Sequence, residues 1–161
     1  MSEQSHKAAM ISIAYNGQEA ITVTPEDMAA LAGRVFPLSE RVAGGIGEAF
    51  DFAEWLEAFR SQQSISQEAP LPTHLKVEAV DSFEALIPWE QLKDAAVQFA
   101  VNGEPLPKGG PVRLYVPNGS SECLNVKSVI VFRLLQDEAR QGEVAYGFKS
   151  TFTPDEMRLK R

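Results

Sequence analysis

The segment Asn102–Ser128, NGEPLPKGGPVRLYVPNGSSECLNVKS, constrains the fold of this chain more than any other. It opens on an Asn-Gly dipeptide, which is typical of tight turns because both residues tolerate positive φ. Two prolines and a Gly-Gly pair follow, and the alternating run Arg113–Val116 then predicts a short strand that ends at the next proline. A glycine- and serine-rich loop leads from there to Lys127. The segment therefore predicts a turn and a strand flanked by two glycine loops.

The chemistry of this segment suits an anionic ligand. Arg113 offers a planar guanidinium fork, Lys127 offers a point charge, and backbone N–H groups of glycine loops donate to anions. We therefore predict one shallow phosphate-binding pocket, bordered by Arg113, Lys127 and the backbone of Gly109, Gly110, Asn125 and Val126. The alternative is that Arg113 pairs with one of the 22 acidic residues and that Lys127 is only solvated.

These residues also resemble a known family. NGEPLP followed by GGPVRLYVP, a loop and NVKS is similar to the oxidoreductase molybdopterin-binding domain of sulfite oxidases and their bacterial relatives. The likeness is dense over Val101–Ser128 and extends more sparsely over His74–Gln91 and Ile21–Ala32. The resemblance implies a pterin phosphate lying against the two loops. Its cofactor-binding residues would be Lys108, Gly109, Gly110, Arg113, Asn125, Val126 and Lys127.

The chain departs from that family where the metal is bound. The enzymes place a molybdenum-ligating cysteine after the first helix, but the corresponding Glu40–Gly45 contains none. Lys108 also stands where a His or Asn usually precedes Gly-Gly-Pro. The resemblance therefore implies molybdopterin as the candidate cofactor, without molybdenum and without sulfite or sulfoxide redox activity. We expect a catalytically inactive protein that holds a pterin or another phosphorylated small molecule.

Two alternatives remain open. The same scaffold would also serve as a protein-interaction or regulatory module that binds a protein partner. In the other alternative, Cys123 replaces the missing ligand in a molybdenum-dependent oxidoreductase, which makes it the one candidate catalytic residue. A reactive thiolate needs positive neighbours, and only Lys127 and Arg113 are close in sequence. A lone loop cysteine is more often a small side chain without a chemical role.

Composition excludes several other classes. A chain of 161 residues fits one domain, which we place at residues 10–161 after a loose polar tail over residues 1–9. The net charge of −7 argues against a nucleic-acid groove. The single cysteine excludes an internal disulfide and fits a reducing cytoplasm. No apolar run of about 18 residues or signal peptide is present, so we expect a cytoplasmic protein without a membrane segment.

Local patterns predict an α+β fold with mixed β-sheets and about three short helices. A hairpin is expected over Met10–Val23, followed by a helix capped by Thr24 that ends at Gly33. A second helix is expected over Phe50–Phe59, and a third begins at Thr153. Further strands are expected at Leu75–Ala79, Phe83–Ile87, Val97–Val101, Val126–Leu135 (a buried strand) and Gly142–Phe148.

Other features lack the pattern that a functional site requires. His6 and His74 lie far apart in the sequence, and no acidic cluster has metal-ligand spacing, so we expect no metal site. Gly44–Gly47 has no strand–helix context for a dinucleotide loop and is expected to be a turn.

Overall fold

The computed structural model describes residues 10–148. The tail predicted over residues 1–9 and the helix predicted from Thr153 lie outside this range. Eleven strands are present in the described part: β1 (Ile11–Tyr15), β2 (Ile21–Val23), β3 (Val35–Pro37), β4 (Glu48–Asp51), β5 (His74–Ala79), β6 (Phe83–Pro88), β7 (Ala96–Val101), β8 (Glu104–Pro105), β9 (Val112–Tyr115), β10 (Val126–Leu135) and β11 (Ala145–Phe148). Two α-helices accompany them, α1 (Pro25–Ala32) and α2 (Phe52–Gln62).

The strands form one mostly antiparallel sheet in the order β11-β6-β5-β10-β9-β7-β4-β3. Along one edge, the first part of the long strand β10 pairs with β9, and its later part pairs in parallel with β1. Strand β1 in turn pairs with β2. Strand β8 pairs with β7. The predicted α+β class with a mixed sheet is therefore confirmed. About three helices were expected, and the described part of the chain contains two α-helices.

The first hairpin and helix follow from their local sequence. Asn16 and Gly17 both adopt positive φ at the turn, and Ile11 pairs with Val23 across the two strands. The Thr24 hydroxyl oxygen then accepts a hydrogen bond from the Asp27 amide at 3.0 Å, while the Asp27 carboxylate accepts one from the Thr24 amide. This capping box starts α1 as predicted.

The second helix begins later than predicted. Phe50 lies in β4, where it pairs with Val97 of β7, and α2 starts at Phe52. The reason is Asp51, whose carboxylate accepts a hydrogen bond from the Glu54 amide at 2.8 Å and so caps the helix. The prediction over Phe50–Phe59 missed this strand because an aromatic residue beside a helical apolar face fits that pattern too.

The main apolar core lies between one face of the sheet and the two helices. From α2, the residues at i, i+3, i+4 and i+7 that face it are Phe52, Trp55, Leu56 and Phe59. Phe132 of β10 stacks on Phe52 with ring centroids 6.3 Å apart. Strand β10 was predicted to be a buried strand. One of its faces reaches this core, whereas Lys127 is exposed and Ile130 is partly so.

A second, smaller apolar cluster lies on the opposite face of the sheet. Alternation along β4, β7 and β9 sends Phe50, Val97 and Leu114 into the main core and their neighbours to the other side. On that outer face the buried members are Phe36, Leu38, Ala49 and Ala96, with Val42 and Tyr115 packed against them. The segment between β3 and β4 covers this cluster. The turn predicted over Gly44–Gly47 is present only at Gly44, where the Gly45 amide donates to the Val42 carbonyl oxygen at 2.8 Å, and the rest of the stretch is irregular.

Candidate functional site

The predicted basic residues lie on the outer face of the sheet. Arg113 of β9 pairs with Gln98 of β7, and Lys127 follows Val126, which pairs with Leu114 on the other side of β9. The ladder is interrupted by a bulge after Val126, so Lys127 lies at the bulged start of β10 beside the Arg113 strand. The topology therefore brings these two cations onto adjacent strands.

Arg113 has no acidic partner within residues 10–148. Five other basic side chains there form ion pairs: Arg34 with Glu54, Arg41 with Asp51, Lys76 with Glu84, Arg133 with Glu78 and Arg140 with Glu143. The Arg113 guanidinium instead lies 5.4 Å from the centroid of the Tyr115 ring. The described structure therefore gives no support to the alternative in which Arg113 is a structural ion-pair partner.

The glycine loop before β9 contacts Arg113 directly. Gly109 adopts a φ of +76°, and a Cβ at this position would lie 3.0 Å from Cδ of Arg113. Its carbonyl oxygen accepts a hydrogen bond from the Ser128 amide at 2.8 Å, which fastens this loop to the start of β10. Lys108 and Gly110 flank it, so the three predicted loop residues lie beside the two strands that carry Arg113 and Lys127.

Asn125 and Val126 contribute differently from one another. The Val126 side chain is buried in the main core, on the face opposite the basic residues. The Asn125 side-chain oxygen accepts a hydrogen bond from the Val116 amide at 2.7 Å, which holds the loop after β9 against the strand. Asn125 thereby shapes this loop, and Val126 anchors it.

A cavity of about 280 Å³ lies beside the loop between β9 and β10. Its lining includes Arg41, Tyr115, Pro117, Gly119, Glu122 and Asn125. Of the predicted binding residues, this lining contains Asn125, while Arg113 and Lys127 lie outside it. The site therefore has two parts, a basic row (Lys108, Arg113 and Lys127) and a cavity, and Tyr115 contributes to both because Arg113 lies over its ring.

Arg41 was not recognised from the sequence. Its Nη1 donates to the Asp51 carboxylate at 2.6 Å, and its guanidinium lies 4.4 Å from the centroid of the Phe36 ring. It belongs to the stretch Glu40–Gly45, in which the resemblance expects a metal-ligating cysteine, and Arg41 and Val42 both line the cavity. Only long-range contacts place it there, so the local sequence carries no signal for it.

Tyr115 was also missed, although a signal existed. Residues at i and i+2 of a strand share one face, so the strand that places Arg113 on the outer face places Tyr115 there too.

Cys123 lies in a short 3-10 helix (Glu122–Leu124) within the loop between β9 and β10, and it is exposed. Its amide donates to the Ser121 hydroxyl at 3.0 Å. The neighbouring Ser121 and Glu122 line the cavity. Cys123 therefore lies in a loop that borders the cavity, and not in the stretch Glu40–Gly45.

Within residues 10–148, no three His, Cys, Asp or Glu side chains converge as a metal site. His74 is buried, and its Nδ1 lies 2.8 Å from the Thr73 hydroxyl. Neither described α-helix has the length and apolar composition needed to cross a membrane.

A comparison of the chain with protein-family models and with curated protein sequences gave no match.

Proposed function

We propose that this protein is a non-catalytic binding module with a fold like the molybdopterin-binding domain of sulfite oxidases, which holds a pterin or another phosphorylated small molecule on the outer face of its sheet. The observation that carries the proposal is Arg113, a partly buried guanidinium without an acidic partner in the described part of a chain whose net charge is −7. The sequence resemblance over Val101–Ser128 supports the same assignment.

The physical reason is the balance of charge around Arg113. In a chain rich in carboxylates, a guanidinium kept apart from them is available to an incoming anion. Each charge-assisted hydrogen bond to such an anion contributes about 1.5–3 kcal/mol before competing costs. Lys108 and Lys127 add two exposed ammonium groups, and Gly109, which has no side chain, lets the Arg113 side chain pack against its loop.

Only the phosphate of molybdopterin, and not its metal, has matching residues in this site. The basic row suits its phosphate, whereas the stretch Glu40–Gly45, of which Arg41 and Val42 line the cavity, offers no thiolate for molybdenum. We therefore assign no redox step, and the protein would act by binding, in the cytoplasm. Molybdenum chemistry through Cys123 remains the alternative for an enzyme. Stoichiometric molybdenum in protein made by a cofactor-producing host, lost in Cys123→Ser, would establish it.

A protein-interaction module is the second candidate, and exposed apolar residues at one end of the sheet favour it. Val80 is 63% exposed in the turn after β5, and Tyr146 is 46% exposed on the edge strand β11. An edge strand with unpaired backbone groups is a common docking surface for another chain. A symmetric apolar interface, together with no ligand on the basic row, would support this candidate.

Calorimetric titration with a pterin phosphate and with a simple nucleotide tests the proposal. We expect the wild type to bind, and Arg113→Ala to bind about tenfold more weakly or worse, since each 1.4 kcal/mol is a factor of ten. Lys127→Ala should lose less, because an ammonium lacks the fork geometry. Arg133→Ala is the matched control, because its guanidinium already pairs with Glu78 and should not affect affinity. If neither ligand binds at millimolar concentration, the protein-interaction candidate replaces the proposal.

A further inference from the structure

A separate cavity, here called the α2 cavity, lies along the helix that packs on the inner face of the sheet. Its volume of about 280 Å³ is close to the lower end of the range for small-molecule sites, roughly 300 Å³. Helix α2 lines it with residues at i, i+3, i+4, i+7 and i+8, which share one face of a helix: Ala53, Leu56, Glu57, Arg60 and Ser61. The remaining lining residues are Ile65, Gln67 and Leu71, from the segment between α2 and β5, and Trp89, which follows β6.

Arg60 is a buried cation in the wall of this cavity. Its residue surface is only 7% exposed, and its Nη2 donates to the carbonyl oxygens of Ser66 and Ala69 at 3.1 and 2.7 Å. No carboxylate within residues 10–148 forms an ion pair with it. A buried charge without an opposite charge is costly, so this guanidinium has a charge that an anionic ligand would compensate.

The rest of the Arg60 guanidinium is open to such a ligand. Its Nε and Nη1 groups donate to no residue within 10–148, which leaves three N–H donors unused. Neither of these nitrogens is fully enclosed by the described residues. The two carbonyl bonds at Nη2 meanwhile hold the group in place, so it meets a ligand without first becoming ordered.

Much of the remaining wall is apolar. Leu56 is buried, and Trp89 is partly buried and packs against the main core. Leu71 is 51% exposed although it is a large apolar side chain. A ligand with an apolar body would remove part of the Leu71 surface from water, which is favourable. The cavity therefore suits a molecule with an anionic end and an apolar body.

Glu57 limits the charge of that anionic end. Its exposed carboxylate lies three residues before Arg60 on the same face of α2, so it faces any anion bound there. One guanidinium beside one carboxylate suits a singly charged ligand better than a phosphate monoester, which approaches two negative charges at neutral pH. Ser61 and Gln67 add neutral hydrogen-bonding groups to the lining.

We infer that the α2 cavity binds a small carboxylic acid with an apolar body, whose carboxylate accepts hydrogen bonds from Arg60 while its body packs against Leu71 and Trp89. This second site is independent of the basic row and of the proposed function, and either of them can fail alone.

Calorimetric titration of the wild type with phenylacetate and with phenylacetamide tests the inference. The two probes have nearly the same shape, and only phenylacetate carries a charge. We expect phenylacetate to bind about tenfold more tightly or better, because hydrogen bonds between charged groups contribute at least that much. Arg113→Ala should leave this affinity unchanged, which separates the α2 cavity from the basic row.

Glu57→Gln gives the sharpest variant, because it predicts a gain. Removal of the like charge should strengthen phenylacetate binding about two- to threefold, the range of exposed charge pairs, and leave phenylacetamide unchanged. A gain in affinity does not result from unfolding. Glu19→Gln is the matched control, since it removes an equally exposed negative charge between β1 and β2 and should change neither affinity.

Arg60→Met should make the affinities for the two probes equal. Arg60 also holds the segment after α2, so the unfolding midpoint of this variant shows whether it is folded, and Glu57→Gln provides the readout if it is not.

Four results would overturn the inference. They are the absence of phenylacetate binding at millimolar concentration, equal affinities of the wild type for the two probes, no gain in Glu57→Gln, and loss of phenylacetate binding in Arg113→Ala. The last result would place the carboxylate on the basic row instead. None of the first three affects the proposed function, which the nucleotide titration tests separately.

Discussion

The two faces of strands β4, β7 and β9 differ in what they bury. On the inner face, Phe50, Val97 and Leu114 are fully buried in the main core with α1 and α2. On the outer face, a small apolar cluster shares its space with polar groups, among them Asp51 and Gln98 at 8% and 3% exposure. The same strands therefore supply stability on one side and fixed charges and dipoles on the other.

Gln98 is a buried polar residue of the outer face whose hydrogen bonds are only partly formed. Its side-chain nitrogen donates to the Ile46 carbonyl at 2.7 Å, but its buried side-chain oxygen has no hydrogen-bond partner within residues 10–148. An unsatisfied buried acceptor costs about 1–3 kcal/mol. Gln98 therefore ties the covering segment to β7 through the Ile46 carbonyl while one of its own acceptor groups stays unpaired among the described residues.

Truncation of a core aromatic residue should have the largest effect. Trp55→Ala removes a fully buried ring that contacts Phe52, Phe59 and Phe132, and it should lower the free energy of unfolding by about 3–5 kcal/mol. The matched variant on the outer face is Phe36→Ala, which should lose clearly less because its cluster is small and lies near solvent. Urea unfolding of both measures the difference, and equal losses would contradict the contrast between the faces.

Asp51→Ala should have the second-largest effect, because the Asp51 carboxylate binds Arg41 on the outer face and caps α2 on the inner face. Its carboxylate accepts from Arg41 at 2.6 Å and from the Glu54 amide at 2.8 Å, so Asp51→Ala leaves a largely buried guanidinium unpaired and removes the cap of α2. We expect a loss of about 2–4 kcal/mol in chemical denaturation. Glu78→Ala, which breaks the more exposed pair with Arg133, should cost at most about 1 kcal/mol. If Asp51→Ala costs no more than Glu78→Ala, the pair of Asp51 with Arg41 is not important for stability.

Gly47 tests how tightly the covering segment packs on the outer face. It adopts a φ of +82°, and a Cβ there would lie 2.4 Å from the Ala100 carbonyl oxygen. Gly103 has nearly the same φ, +79°, but open space around it. Gly103→Ala should cost about 1 kcal/mol for the backbone conformation. Gly47→Ala should cost about 1–3 kcal/mol more in the same unfolding assay because of the clash. Equal costs for the two variants would mean that the covering segment shifts enough to relieve the clash.

The smallest effect should come from the exposed pair near β11. Arg140 donates to Glu143 at 2.9 Å and holds the pKa of Glu143 below its ordinary value. A lowered carboxyl pKa adds stability above the unfolded pKa, and this stability is lost as pH falls through the folded value. The unfolding midpoints of the wild type and Glu143→Gln should therefore differ slightly at neutral pH and converge in acid. A difference that grows in acid would contradict this sign.

Local chemistry predicted much of the fold but little of the outer face. The Thr24 capping box and the Asn16-Gly17 turn are specified by residues a few positions apart, so the sequence revealed them. Strands β3 and β4 have three and four residues, too few for a periodic signal, and they form only because they pair with each other and with β7. The cavity escaped prediction for the same reason, since distant segments bring Arg41 and Tyr115 to it.

The most direct test of the account combines stability and binding at Arg113. Because Arg113 has no acidic partner in the described structure, Arg113→Ala should leave the free energy of unfolding without ligand within about 0.5 kcal/mol of the wild type. A nucleotide at about 100 times its wild-type Kd should stabilise the wild type by about 2.7 kcal/mol, and a tenfold weaker variant by about 1.4 kcal/mol. Urea unfolding of both proteins with and without nucleotide measures all four values. A variant that is destabilised without ligand, together with a wild type that gains nothing from it, would contradict the proposal that the outer face is an anion-binding site.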